Sequence, residues 1–304
     1  MSLNKKQFSR RIFLARTLQT TAGLTSAGAL TSCANLPIIA DKNSKIRFGL
    51  VTYQWAKDWD LPTIIKNCET AKVYGVELRT THKHGVERNL NAQQRKEVKK
   101  RFADSPVTVV GVGSDERYGT ADADKLKKAI EATKDFIKLS CDVGGSGVKV
   151  KPGYFNKQVS HEKTIEQSGR TLNILGRFAT DYGQQIRVEV HDMGNDIPIM
   201  KAIMDVANHP NVAVCWNSNQ QDLDGQGFEY NFNLVKNRLG ATTHVRPLDS
   251  TDYPYQKLIN NLVEMNYNGW ILLEASSEPE DKVKALAQQA VLFKEMLKTA
   301  QSKT

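Results

Sequence analysis

Cysteine is scarce: there are four in 304 residues, at 33, 68, 141 and 215. The three beyond residue 33 are odd in number and widely spaced, which excludes a disulfide framework. Cys68, Cys141 and Cys215 read instead as small buried residues. No apolar run reaches the roughly 20 residues that a membrane span needs. No Gly-rich phosphate loop, Gly-x-Ser-x-Gly elbow or dinucleotide fingerprint occurs between a strand and a helix, so no nucleotide cofactor is expected. Zinc-finger spacing is absent, and so is a basic stripe with interleaved aromatics, which argues against nucleic acid as a partner. Acidic residues are missing altogether from the first 33 positions, which hold five basic ones (Lys5, Lys6, Arg10, Arg11 and Arg16). Without that segment the formal charge falls from +9 to +4.

The same segment has an internal order. Ser9-Arg10-Arg11-Ile12-Phe13-Leu14 is followed by a mildly apolar stretch from Thr17 to Leu30, and then by Leu30-Thr31-Ser32-Cys33. It resembles a twin-arginine export signal closing on a bacterial lipobox. The resemblance implies cleavage before Cys33, lipidation of that cysteine, and an exported lipoprotein of the periplasm or cell envelope. Residues 1–33 are therefore expected to be a signal peptide. Residues 34–45, with Pro37, Asn43 and Ser44, are expected to be a linker.

From residue 46 to 304, short β-rich runs alternate with longer helical patterns. The expected strands are Ile46–Thr52, Val76–Thr80, Val107–Val112, Val148–Lys151, Ile186–His191, Val212–Asn217, Thr242–Arg246 and Trp270–Glu274. The expected helices are Leu61–Tyr74, Ala92–Ala103, Ala123–Asp142, Ser160–Tyr182, Ile197–Asn208, Asn231–Arg238, Tyr255–Met265 and Asp281–Ala300. Alternation of this kind indicates a parallel sheet, and eight units close a single-domain (β/α)8 TIM barrel of the α/β class. Gly75, Gly183, Gly240 and Gly269 sit between a helix and a strand, as helix-terminating residues do. Asp60-Leu61-Pro62 places an N-cap before an early-helix proline. The densest basic run, Gln93 to Arg101, reads as the solvated face of a helix.

Two strand-like runs end on chemistry. Ile186 to His191 closes on Glu189-Val190-His191, and Trp270-Ile271-Leu272-Leu273 closes on Glu274. In a barrel this is the end where active sites are built. Together with the eight units, these motifs resemble the xylose isomerase-like TIM barrels, often called sugar phosphate isomerases/epimerases, over Lys45 to about Lys298. The resemblance implies that Glu189 and Glu274 ligate a divalent metal (Mn, Zn, Mg, Co or Fe). In the epimerases of that family they also act as the catalytic acid/base pair. The chemistry is coherent by itself. Moving a proton beside a carbonyl needs a base, a group to return the proton, and an electrophile for the enediolate.

The chain departs from the family pattern at two ligand positions. Asn217 stands where strand six usually offers an Asp. On strand seven, His244-Val245-Arg246-Pro247-Leu248-Asp249 allows two registers. Aligning on Asp249, the preferred choice, puts Arg246 in the place of the metal-binding His. Sliding by two puts His244 there. Arg cannot ligate a metal. The first register therefore weakens the metal site of Glu189, Asn217, His244 and Glu274, and lets Arg246 pair with Glu189 or Glu274 or hold an anionic oxygen.

Other candidates surround the mouth. His82 and His84 follow strand two, as substrate contacts or an alternative metal pair. Lys149 and Lys151 share one face at the end of strand four, and Lys151 is the expected substrate or carboxylate partner. Arg187 should face the same side as Glu189, in an ion pair. Tyr53, Gln54 and Trp55 follow strand one, with Trp55 as a sugar-stacking aromatic. His191 and Asn219 complete the expected substrate contacts, and Gln220 to Gly227 could form a lid. His161 and His209 read as surface residues. The first functional reading is a sugar isomerase or epimerase. A lyase or hydrolase of keto-sugar glycosides and a non-catalytic carbohydrate-binding lipoprotein are the others. The partners are then a carbohydrate and the lipid anchor at Cys33, with homo-oligomerisation left open.

Overall fold

The structure is a computed structural model and describes residues 46–303. The expected signal, the lipobox at Cys33 and the linker lie outside the described residues. Among those described, no helix is long and apolar enough to cross a membrane.

Eight parallel strands alternate with eight α-helices. The strands are β1 (Arg47–Val51), β2 (Gly75–Arg79), β3 (Thr108–Gly119), β4 (Gly147–Gly153), β5 (Gln185–Glu189), β6 (Val212–Cys215), β7 (Thr242–Val245) and β8 (Trp270–Leu273). The helices are α1 (Leu61–Ala71), α2 (Ala92–Ala103), α3 (Ala123–Val143), α4 (His161–Thr180), α5 (Ile197–Val206), α6 (Gly227–Val235), α7 (Tyr255–Glu264) and α8 (Lys282–Gln301). Pairing runs from β6 through β1 and β8 to β7. The remaining gap, between β6 and β7, is bridged at Val214–Leu239 and Asn217–His244, where His244 N–H donates to Trp216 O at 2.7 Å. The fold is the expected single (β/α)8 barrel.

Helices cover the outer face of the strands, so the strands read as almost continuous buried runs rather than alternating ones. The alternation survives inside. On β8, Ile271 and Leu273 join the large core beneath the helices, whereas Trp270 and Leu272 join Val51 and Val110 in a small apolar cluster of their own. The next inward position on that strand is Glu274. Along β8 the barrel interior is therefore apolar below and charged above.

Several boundaries differ from those expected, each for a local reason. Helix α1 stops at Ala71 because Lys72 takes the left-handed conformation (φ 58°), and Asn266 (φ 53°) does the same after α7. Gly75 and Gly269 are thus not helix terminators. Gly75 is required because a Cβ there would collide with the Trp270 ring. Gly183, after α4, does have positive φ (60°). Strand β3 runs 12 residues, past a register shift between Gly113 and Arg117, and its end still pairs with β4, Gly119 opposite Gly153. Helix α6 starts at Gly227, four residues before the expected start, and a 3₁₀ turn at Gln220–Leu223 occupies the first half of the segment expected as a lid. The expected N-cap holds, with Thr63 N–H donating to Asp60 Oδ1 at 2.9 Å. Helix α2 buries only Val98 and Phe102, so its basic run is solvated. Cys68, Cys141 and Cys215 are buried and form no disulfide among the described residues.

Candidate active site

Side chains two residues apart on a strand point the same way, one step higher along the barrel. Five strands place charged or amide residues in two such steps. The lower step, a floor, holds Glu77, Lys149, Glu189, Asn217 and His244, each at most 3 % exposed. The upper step, a rim, holds Arg79, Lys151, His191, Asn219 and Arg246 around a cavity of about 300 Å³ that also exposes Glu189 and Glu274. A larger hollow of about 730 Å³ opens at the opposite end, around Arg47, Ser146, Gln185 and Arg187. It contains no acid/base pair, and the smaller cavity holds the convergent titratable groups that mark a reactive site.

His244 is the centre of the floor. Its Nδ1 lies 3.4 Å from Glu189 Oε1 and 3.6 Å from Glu274 Oε2, and its Nε2 lies 3.4 Å from Glu77 Oε1. Among the described residues neither ring nitrogen has a hydrogen-bond partner, and neither do the Glu77 oxygens. These separations exceed a hydrogen bond. They match the edge of a tetrahedron around a cation bonded at ~2.1 Å, which is roughly 3.4 Å. Glu189, His244 and Glu274 can therefore hold a divalent cation between them. Glu77, on the far side of the imidazole, is placed to orient it, as second carboxylates do behind metal-binding histidines.

The floor is nearly self-neutralising. Lys149 Nζ donates to Glu189 Oε2 at 2.8 Å, with both side chains 1 % exposed. Burial works against the charged Glu189, but Lys149, with His244 and His191, outweighs it and holds the carboxyl well below its usual range. Burial likewise opposes Lys149, and Glu189, Glu274 and Glu77 more than offset it, so the ammonium is held above its usual range. For His244, burial is outweighed by Cys215, Glu77 and Glu274, which raise it well above its usual range. Glu77 is kept low against burial by His244, Lys149 and Arg187.

Several expectations require correction. The structure takes the second register on strand seven: His244 stands among the glutamates, because its position faces inward on the floor while Arg246 is one step higher. Arg246 pairs with neither glutamate. Its Nη2 donates to Asn219 Oδ1 at 3.3 Å, and it forms no salt bridge among the described residues. Asn217 offers Glu189 Oε1 its amide nitrogen, at 3.1 Å, and so is a hydrogen-bond donor here rather than a ligand. Trp55 does not face the cavity: it is buried, with Nε1 donating to Ser277 O at 2.6 Å, and Tyr53 lines the mouth instead, beneath the Arg79 guanidinium. His84 is buried away from the cavity with both ring nitrogens engaged by backbone, Arg79 O at 2.8 Å and Val86 N–H at 3.0 Å. His82 also lies off the cavity, 3.3 Å from Arg79 Nη1, and burial with the Arg79 charge lowers it to about 4. Arg187 faces inward but reaches downward, donating to Ser146 Oγ at 2.6 Å and Val110 O at 3.2 Å, with no ion pair among the described residues.

The other expected residues do converge. Glu189, Glu274, His191, Lys151, Asn219 and Arg246 all line the cavity. Lys151 Nζ is 2.9 Å from Asp115 Oδ1, and Lys151 and Arg117 hold that carboxyl at about 2 against burial. His191 Nδ1 is 2.6 Å from Asp192 Oδ1, and Asp192 is tied by 2.9 Å to Arg117. Asn219 Nδ2 donates to Val190 O at 2.8 Å. Two floor residues were missed. Glu77 sits two positions before Arg79 in Gly75-Val76-Glu77-Leu78-Arg79, and an acid inside an otherwise buried strand was the available signal. Lys149 was read only as the neighbour of Lys151.

Behind the rim, Asp222 is fully buried. Its Oδ2 accepts from Tyr253 Oη at 2.7 Å and from Asn219 N–H at 3.0 Å, while Oδ1 has no partner. Burial raises this carboxyl to about 7 despite those bonds. A group raised in the folded state contributes stability that is full below its unfolded value, near 4, and lost as pH rises through about 7. Wild-type protein is therefore expected to lose on the order of 2–4 kcal/mol between pH 5 and 8 through this group. Asp222→Asn should flatten that decline, as read from denaturant melts at both pH values. An unchanged slope would contradict the assignment.

The fold and site together are those of a parallel eight-stranded barrel with carboxylates and an imidazole at its C-terminal mouth. The match of residues 65–296 to the family model for the xylose isomerase-like TIM barrel places this chain in that family. No curated protein sequence matches it. Among solved structures, it is similar to an L-ribulose 3-epimerase at 14 % identity, with 85 % of this chain and 96 % of that one covered and a TM-score of 0.72. It is also similar to the 3-keto-D-glucoside 4-epimerase YcjR of E. coli (14 % identity, 82 % and 100 % covered, TM-score 0.70). A third similar structure is the IOLI protein with a bound zinc atom (14 % identity, 84 % and 99 % covered, TM-score 0.71). At such identities the likeness is one of fold.

Proposed function

We propose that this protein is a sugar isomerase or epimerase that moves a proton on the carbon next to a carbonyl, as an exported lipoprotein anchored through Cys33. The observation that carries the reading is the floor: two carboxylates meeting one imidazole nitrogen at tetrahedral-edge distances, beneath a cavity of sugar size. The sugar epimerases among the similar folds support it, and so does the zinc-bound neighbour.

The residues divide the work. Glu189 is fixed on both oxygens, by Lys149 and Asn217, and is ionised, so it is a positioned base and a ligand. The Glu274 carboxylate has no hydrogen bond among the described residues and is the more open, with 11 % of its side chain exposed. It is therefore the group free to take or return a proton. His191, held by Asp192, positions a hydroxyl. A divalent cation on Glu189, His244 and Glu274 would polarise the carbonyl and stabilise the enediolate charge. Removal of the C–H proton by one glutamate gives an enediolate. A proton delivered to the opposite face by the other glutamate, in its protonated form, gives the epimer and leaves the two glutamates with their protonation states exchanged. Delivery to the neighbouring carbon, with the hydroxyl proton passed between the two oxygens, gives the isomer.

The test is solvent exchange. Metal-supplemented protein in D₂O with a panel of ketoses and keto-acids should place one deuterium beside the carbonyl of a recognised sugar, visible by NMR. Binding without exchange across the panel would reject proton transfer in favour of simple carbohydrate binding.

A further inference from the structure

The cavity is polarised along the barrel axis. Its floor carries three carboxylates, Glu77, Glu189 and Glu274, against the single ammonium of Lys149 and the imidazole of His244. Its rim carries three permanent cations, Arg79, Lys151 and Arg246. Two of these already share one acid, since Asp115 Oδ1 is 2.9 Å from Lys151 Nζ and 3.8 Å from Arg79 Nη2. Arg246 has no acidic partner among the described residues, although it is half-buried at the cavity wall. A guanidinium in that position leaves one positive charge uncompensated in a partly desolvated site.

The surroundings hold Arg246 ready. Its backbone N–H donates to Ser218 Oγ at 3.1 Å, and its Nη2 donates to Asn219 Oδ1 at 3.3 Å. Asn219 is itself fixed by Val190 O at 2.8 Å and Asn195 Oδ1 at 3.2 Å. The remaining guanidinium N–H groups form a planar fork with no hydrogen-bond partner among the described residues, the geometry that binds a carboxylate through two parallel bonds. Arg246 lies two residues beyond His244, just past the end of β7, hence about 5–7 Å higher toward the barrel mouth. That height is comparable to the reach of a hexose chain from its carbonyl to its far end.

Resting on the isomerase/epimerase reading, we propose that the substrate is a sugar acid, a keto-hexuronate or related monoanion, whose carboxylate is bound by Arg246 while its carbonyl end meets Glu189 and Glu274. Arg246 is the one rim cation with no acid beside it among the described residues, and a single negative charge pairs it, which favours a carboxylate over a phosphate dianion. Arg246 is then the residue that selects acidic over neutral sugars.

The test uses calorimetric binding of D-fructose, D-fructuronate and D-fructose 6-phosphate to metal-supplemented protein, alongside the Arg246→Gln and Arg246→Lys variants. The uronate is expected to bind at least ~10-fold more tightly than fructose, a gap that shrinks with added salt. Arg246→Gln should bring the two within about twofold, and Arg246→Lys should keep part of the gap by charge without the fork. Equal binding of uronate and fructose, no measurable uronate binding, or a preference that survives Arg246→Gln would overturn the proposal. Tightest binding by the phosphate ester would overturn the carboxylate assignment. Deuterium exchange in the same samples separates the two ideas. Exchange in fructose and uronate alike with equal affinity sinks the rim assignment alone. Arg246-dependent uronate binding without exchange sinks the proton-transfer reading alone.

Discussion

Replacing Glu189 by Gln is expected to lower kcat for solvent-proton exchange by roughly 10³-fold, with a smaller change in KM. The carboxylate does three things at once: it faces the cavity, approaches His244 Nδ1 at 3.4 Å, and accepts from Lys149 at 2.8 Å. A glutamine keeps the volume but loses the charge that a base and a cation ligand both require. Glu274→Gln should cost a similar factor for a different reason. Its side chain carries no ion pair beyond the 3.6 Å approach to His244, so it can change with little effect on folding. The two variants are thus distinguished by stability as well as rate: Glu189→Gln should melt measurably lower, and Glu274→Gln near wild type. Wild-type turnover in either variant would remove that glutamate from the mechanism.

Lys149→Met should destabilise the fold by about 3–5 kcal/mol, because it strands a buried carboxylate without its counter-charge. Met has similar length and leaves no large void, so the loss reports electrostatics rather than packing. The double variant Lys149→Met/Glu189→Gln should recover most of the loss, since neutral groups replace both ends of the pair. Added divalent cation should raise the melting temperature of Lys149→Met more than that of wild type, because metal charge substitutes for the missing ammonium. Additive losses in the double variant would contradict a direct pair.

Much of this could be read before the fold was known. Strand ends with Glu189 and Glu274 are local signals, and eight alternating units leave one economical closure. The register of strand seven could not be read the same way. Asp249 pulled the alignment toward Arg246, yet Asp249 accepts from Gln289 on α8, at 2.9 Å, outside the cavity. Only inward facing, which the sequence leaves ambiguous where a strand is buried on both sides, puts His244 among the carboxylates. Glu77 carries a fainter signal, a lone acid inside an otherwise buried strand, and the sequence leaves open whether it faces the barrel axis or the helices. Trp55 and His84 fail for the opposite reason. Both lie in active-face loops, but each spends its polar atoms on backbone.

Metal content tests the floor most directly. Elemental analysis of purified protein after divalent supplementation and desalting should find close to one cation per chain. His244→Ala and Glu274→Gln should abolish it, and Arg246→Gln should leave it intact. No metal in wild-type protein, or metal that persists without His244, would contradict the account and return the histidine to a purely structural place among its three carboxylates.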